Sequence, residues 1–224
     1  MNLFNEDNFL HRFFLSAGGF IGLNLLWILT SIPVVTVGAS TTALYYCTLK
    51  LHKDREISIW KCYWRSFRGN LFQATAVWLC LAAAGVCVWF EKAAVAEMPG
   101  AMSVLFTYVV WGIALALLVI ALYVFPTIAS FENKAGRLAV FALCFAARKP
   151  VYTLCMAALT CLPMYFTMVD AQLFPIYFFV WIMCGFSLTA YGNSWFLWRL
   201  FRPYFEKEER TLSGIENESD QYVF

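Results

Sequence analysis

The sequence predicts an all-α fold: a polytopic membrane helical bundle of about five transmembrane helices with short interfacial helices. Two observations carry this. Of the 224 residues, 62% are hydrophobic and only 13% charged, where soluble domains run to about 45–50% and about 25%. The uncharged residues are also grouped into five long runs, 13–49, 69–90, 98–131, 150–169 and 171–198. Each can supply the roughly 20 apolar residues that a helix needs to cross a hydrocarbon core of about 30 Å. Barrel strands would instead show segments of about 10 residues with alternating polarity, and the runs do not alternate. A net charge of +2 gives no footing for phosphate binding, so no nucleic-acid role is expected.

A single transmembrane helical domain is therefore expected over 1–202, followed by a polar tail over 203–224. The spans fall near 17–37, 71–90, 103–125, 150–169 and 175–197. Residues 1–16 read as an amphipathic lead-in, with Phe4, Phe9, Phe13 and Phe14 beside Glu6, Asp7 and Arg12. The first run is too long for one crossing, since 37 residues of helix would reach about 55 Å. Pro33 lies within it and removes a backbone donor. Thr30, Ser31, Thr36, Ser40, Thr41 and Thr42 surround it. A break near 33–40 is expected, with a second helix from about 40 to 52. Whether 17–51 is one broken span or a hairpin around Pro33 stays open.

The connection 50–68 is expected to hold a helix of its own. Trp60, Trp64, Phe67 and Leu71 form one helical stripe. Lys61, Arg65 and Arg68 run beside it, which suits a helix lying on an anionic leaflet, or ordinary anchoring before the next span. Met98-Pro99-Gly100 should turn the chain between spans two and three. Pro126 should mark the inner end of span three, and 131–149 should form a second surface helix. Asp170 sits in a very short link, so spans four and five make a tight hairpin. Glu206 to Phe224 are polar enough to be unstructured. Gly18-x-x-x-Gly22, Gly112-x-x-x-Ala116 and Gly185-x-x-x-Thr189 are candidate close contacts between helices.

Lys and Arg orient the bundle. The connections 50–68 and 132–149 and the tail 199–224 carry fourteen, while the N-terminal segment and 91–97 carry one each. The basic side should be cytoplasmic. With five spans this puts the N-terminus outside and the C-terminus in the cytoplasm. Val37-Gly38-Ala39 loosely fits a signal-peptidase site, but cleavage there would put six basic residues outside, so the run is expected to stay.

No Asp, Glu, Lys, Arg or His lies inside a span, and such residues mark proton relays and ion-coupled transport. Nucleotide-binding, serine-hydrolase and zinc-protease motifs are missing from the sequence. No enzyme activity, metal or cofactor is expected. The eight cysteines have no CxxC pair and lie away from the outside loops, so they read as small hydrophobes. The candidate ligand-binding residues are Asn24, Trp27, Thr36, Ser40 and Thr41. Amides, hydroxyls and indoles suit an uncharged sugar-like solute, and they equally suit bonds between helices. The candidate partner or membrane-surface residues are Trp60, Lys61, Trp64, Arg65, Phe67 and Arg68.

Several stretches resemble the YesL family of small bacterial integral membrane proteins. They are Asn24-Leu25-Leu26-Trp27, Ile32-Pro33-Val34-Val35-Thr36-Val37-Gly38-Ala39-Ser40-Thr41-Thr42-Ala43-Leu44-Tyr45-Tyr46, Trp64-Arg65-Ser66-Phe67-Arg68-Gly69-Asn70, Tyr123-Val124-Phe125-Pro126 and Phe131-Glu132-Asn133. The resemblance covers about 1–170; beyond that only hydropathy matches. It implies a multi-pass protein of the bacterial cell membrane, associated with carbohydrate-uptake and polysaccharide-degradation systems. Its partners would be the lipid bilayer and carbohydrate-uptake transporter components, and it supplies no catalytic residues. Two functions stay open: a non-enzymatic accessory or regulatory partner of carbohydrate uptake, and a small permease for an uncharged sugar-like solute.

Overall fold

The computed structural model describes residues 9–53, 58–96, 100–131, 144, 146–170 and 172–221, with side chains considered for 18–53, 58–91, 100, 102–131, 144, 146–170 and 172–204. Its elements are α1 (Phe9–Ser31), a 3-10 turn (Val34–Thr36), α2 (Val37–Lys53), α3 (Ile59–Ala96), α4 (Ala101–Ser130), α5 (Pro150–Val169) and α6 (Phe174–Val180). A π turn (Trp181–Gly185) and α7 (Phe186–Gln221) follow. Among the described residues there is no strand. The lead-in before Phe9 and nearly all of the surface helix expected over 131–149 lie outside the described residues.

Pro33 ends α1 as expected. The residue before a proline is driven away from helical angles, and α1 stops at Ser31. Pro33 itself is extended, with φ −72° and ψ 105°. The backbone re-enters a helix at Val37, a few residues before the expected start.

The surface helix and the second span are one element. α3 runs unbroken through 38 residues, about 57 Å. Arg68, Gly69 and Asn70 lie between Phe67 and the expected span, none of them a proline, and one helical glycine costs only about 1 kcal/mol. Pro126 likewise does not end α4, which continues to Ser130. Gly100 starts α4 from φ +78°, a conformation that only glycine adopts without strain.

α5 has the expected bounds, with Pro150 in its first turn, where a missing N–H costs nothing. Asp170 makes the tight link: its Oδ1 accepts from the N–H groups of Gln172 and Leu173 at 3.2 and 3.3 Å. At the C-terminal end the backbone stays helical to Gln221, where polarity alone predicts an unstructured tail.

Among the described residues four helices are long and apolar enough to cross a membrane: Ile59–Glu91, Met102–Ser130, Pro150–Val169 and Phe174–Tyr204; Gly18–Ser31 is apolar but shorter. α2 is central, packing on α1, α3, α4 and α7. The buried core joins Leu23, Ala43, Leu44, Tyr63, Tyr123, Met156, Leu197 and Phe201. It gathers toward the basic ends of the long helices. The opposite ends expose Trp89, Phe90, Leu105, Tyr108, Phe166 and Phe179, as lipid-facing surface would.

Close helix contacts fall elsewhere than the small-residue patterns put them. A Cβ on Gly18, Gly22 or Gly112 would meet open space. One on Gly38 would strike the Ala74 carbonyl and Trp78, and one on Gly19 would come within 2.8 Å of Ile59. Gly185 lies against the Trp181 ring of its own helix.

Candidate functional site

The five candidate ligand-binding residues come together where α1 folds back on α2 against α7. Trp27 Nε1 donates to Thr41 Oγ1 at 3.2 Å. Fourteen residues of straight helix would hold those positions about 21 Å apart, so the two helices form a hairpin around the break. Thr36 Oγ1 donates to the carbonyls of Thr30 and Pro33 at 2.6 and 2.7 Å. Ser40 Oγ donates to the Thr36 carbonyl at 3.0 Å. From across the packing interface, Trp78 Nε1 donates to the Val34 carbonyl at 2.8 Å. The carbonyls freed by the break thus receive protein donors, as non-helical backbone at membrane depth requires.

Asn24 has a parallel task at a different element. Its Nδ2 donates to the carbonyls of Trp181 and Ile182 at 2.9 and 2.7 Å, and its Oδ1 accepts from the Ser187 N–H at 3.0 Å. A π turn displaces the regular ladder, and this one amide, fully buried, binds both sides of it. The Trp27 ring packs on Phe186, 4.2 Å between centroids, and Phe186 packs on Trp181 at 4.7 Å. Chemically the region is a joint: each of the five candidates spends a polar group on the protein itself, while the neighbouring Ser31 hydroxyl is buried without a partner.

A second polar seam joins α2, α5 and α7. Thr48 Oγ1 and Ser194 Oγ lie 2.6 Å apart, and Asn193 Nδ2 donates to Tyr45 Oη at 3.2 Å and Thr160 Oγ1 at 2.9 Å. Asn193 Oδ1 is buried without a partner. His52 stacks on Tyr191 at 4.3 Å, and Phe20 meets the same ring edge-on at 5.0 Å. Tyr63 Oη lies 2.6 Å from Thr30 Oγ1, tying α3 to the end of α1. Neither Tyr45 nor Tyr63 stood out in the sequence as a candidate. The only signal for Tyr45 is a tyrosine hydroxyl inside an apolar run, which needs a partner when buried; Tyr63, between Lys61 and Arg65, lacks even that.

The candidate surface residues share the first turns of α3 but not one face. Trp60, Lys61, Arg65 and Arg68 are exposed, while Trp64 and Phe67 are half-buried. Trp60 and Trp64 meet edge-on at 5.9 Å, and the Arg68 guanidinium lies 5.6 Å from the Trp64 ring centroid. The buried face is a different stripe, Cys62, Tyr63 and Ser66. Among the described residues no three His, Cys, Asp or Glu side chains gather as a metal site would need.

Residues 20–91 match the model of a family described as "Protein of unknown function, DUF624". The match runs from within α1, through the break and α2, to near the end of α3. No curated protein and no solved structure matches the chain.

Proposed function

We propose that this membrane protein is a non-enzymatic accessory or regulatory partner of carbohydrate uptake, acting through contacts with transporter components. Within the family matched over residues 20–91, we take it to be of the YesL type, in the bacterial cell membrane with its basic end cytoplasmic. The observation that carries this reading is the joint at the break. A permease for a neutral sugar must offer free hydrogen-bonding groups to replace water, and the hydroxyls of Thr36 and Ser40 and the amide of Asn24 are spent on backbone. The exposed Trp60, Lys61, Arg65 and Arg68 supply what a partner would grip: one large aromatic ring among cations.

Vesicles containing only this protein provide the test, together with capture of sugar-transport components from membranes of the producing cells. The accessory reading expects no specific uptake by the vesicles and co-purification of a transporter's membrane subunits. Uptake of one sugar over its stereoisomers would establish the permease instead.

A further inference from the structure

We infer that α1 and α2 form a re-entrant hairpin that enters from the basic side and turns back inside the bilayer, so that the chain crosses four times and both termini share one face. The Trp27–Thr41 bond at 3.2 Å folds α2 back along α1. At the other end, Gly19 lies against Ile59, the first residue of α3. Phe20 and His52 both pack on the Tyr191 ring, so the middle of α1, the end of α2 and the start of α3 lie together.

The depth of the hairpin can be measured along α3. Cation–aromatic pairs mark the basic interface on three helices: Arg68 on Trp64, Lys149 on Tyr152 and Arg199 on Trp195, at 5.6, 5.5 and 3.8 Å. Aromatic rings and cations anchor at that level. The hairpin tip is pinned where the Trp78 indole bonds the Val34 carbonyl at 2.8 Å. Trp78 lies ten residues from Arg68 and thirteen from Glu91, about 15 and 20 Å along α3. The tip is thus level with the middle of the α3 span. Length agrees: from Val37 to Lys50, the first charge in α2, the arm measures about 20 Å, well short of a crossing of about 30 Å.

The tip itself has the chemistry of a turn in lipid. Ile32 and Val34 are 69% and 68% exposed, and Pro33 and Val35 are exposed beside them. The backbone between them is bonded to Thr36 and Trp78, which a turn in water would not need. Charge distribution is a further, independent support. With the N-terminus on the basic side, Arg12 joins the other basic residues, and fifteen of the sixteen Lys and Arg share one face, with Lys92 alone opposite. This places the N-terminus opposite to the outside location expected from five crossings.

Single cysteines in a chain whose eight native cysteines are replaced test the inference. Asn5→Cys should resist a membrane-impermeant maleimide in intact cells and react in inverted vesicles, while Glu97→Cys should do the reverse. A spin label at Val34→Cys should relax with oxygen and not with a water-soluble nickel chelate. Labelling of Asn5→Cys from outside, or nickel access at Val34→Cys, would overturn it. If the cysteine-free chain does not fold, an N-terminal epitope on the native chain reports the same orientation. Protease added outside intact cells should leave the epitope whole; its removal there counts against the hairpin.

Discussion

Asn24 and Trp181, 157 residues apart, are joined by a bond of 2.9 Å from the amide of one to the backbone carbonyl of the other. The same amide holds Ile182 and Ser187, so one side chain on α1 fixes the π turn that leads into α7. Replacing it with leucine removes its bonds to two carbonyls and an N–H, and a buried polar group left without a partner costs about 1–3 kcal/mol. Asn24→Leu should therefore lower the thermal midpoint markedly in detergent. Deleting Met183 from the π turn of that variant should restore a regular ladder and recover part of the loss. An unchanged midpoint in Asn24→Leu would mean that the joint contributes nothing to stability.

Two glycines in the same hairpin should respond oppositely. A methyl on Gly38 meets the Ala74 carbonyl and the Trp78 side chain, whereas one on Gly22 meets open space. Gly38→Ala should separate α2 from α3 and cost about 1–3 kcal/mol through overpacking. Gly22→Ala should be neutral or stabilising by up to about 1 kcal/mol, the helix-propensity difference. Thermal unfolding of both variants side by side checks the pair, and equal effects would contradict the packing.

Cys47 on α2 and Cys62 on α3 are buried free cysteines that neighbour each other across the two helices. A chain keeping only these two cysteines should form an intramolecular disulfide with diamide. The two thiols lose two protons and two electrons, and the diazene takes them up as the hydrazine. Mass spectrometry should find one bridged peptide pair. Separate, fully alkylated peptides would mean that the two helices face each other in another register.

Surface and joint should separate function from stability. Trp60→Ala with Lys61→Ala and Arg65→Ala removes exposed groups, so the thermal midpoint should move little while capture of transporter components falls at least severalfold. Thr36→Val removes two hydrogen bonds from the break and should instead lower the midpoint by an amount worth about 1–3 kcal/mol. Loss of stability in the surface variant, or loss of capture only in Thr36→Val, would reverse the roles given to the two regions.

The long apolar runs, the break at Pro33 and the bounds of α5 were legible in the sequence, because each follows from local chemistry. Long uncharged runs cross hydrocarbon as helices, Pro33 among its hydroxyls stops α1 although Pro126 lies inside α4, and Lys149-Pro150 and Asp170 mark both ends of one run. The continuity of α3 was less legible, since charge near Arg68 reads as a boundary whether or not the helix bends there. Only the tertiary structure decided what the polar residues do. Nothing in the order of residues says that Asn24 reaches Trp181, that Thr48 meets Ser194, or that Trp78 bonds the Val34 carbonyl. An amide or hydroxyl in an apolar run announces that it needs a partner, and the partner can be a solute, a neighbouring helix or its own backbone with the same hydrogen-bonding chemistry. Folding back at Pro33 brought the protein's own groups within 3.2 Å of Trp27 and Thr36, packing of α1 on the π turn did the same for Asn24, and that proximity made the hairpin a joint.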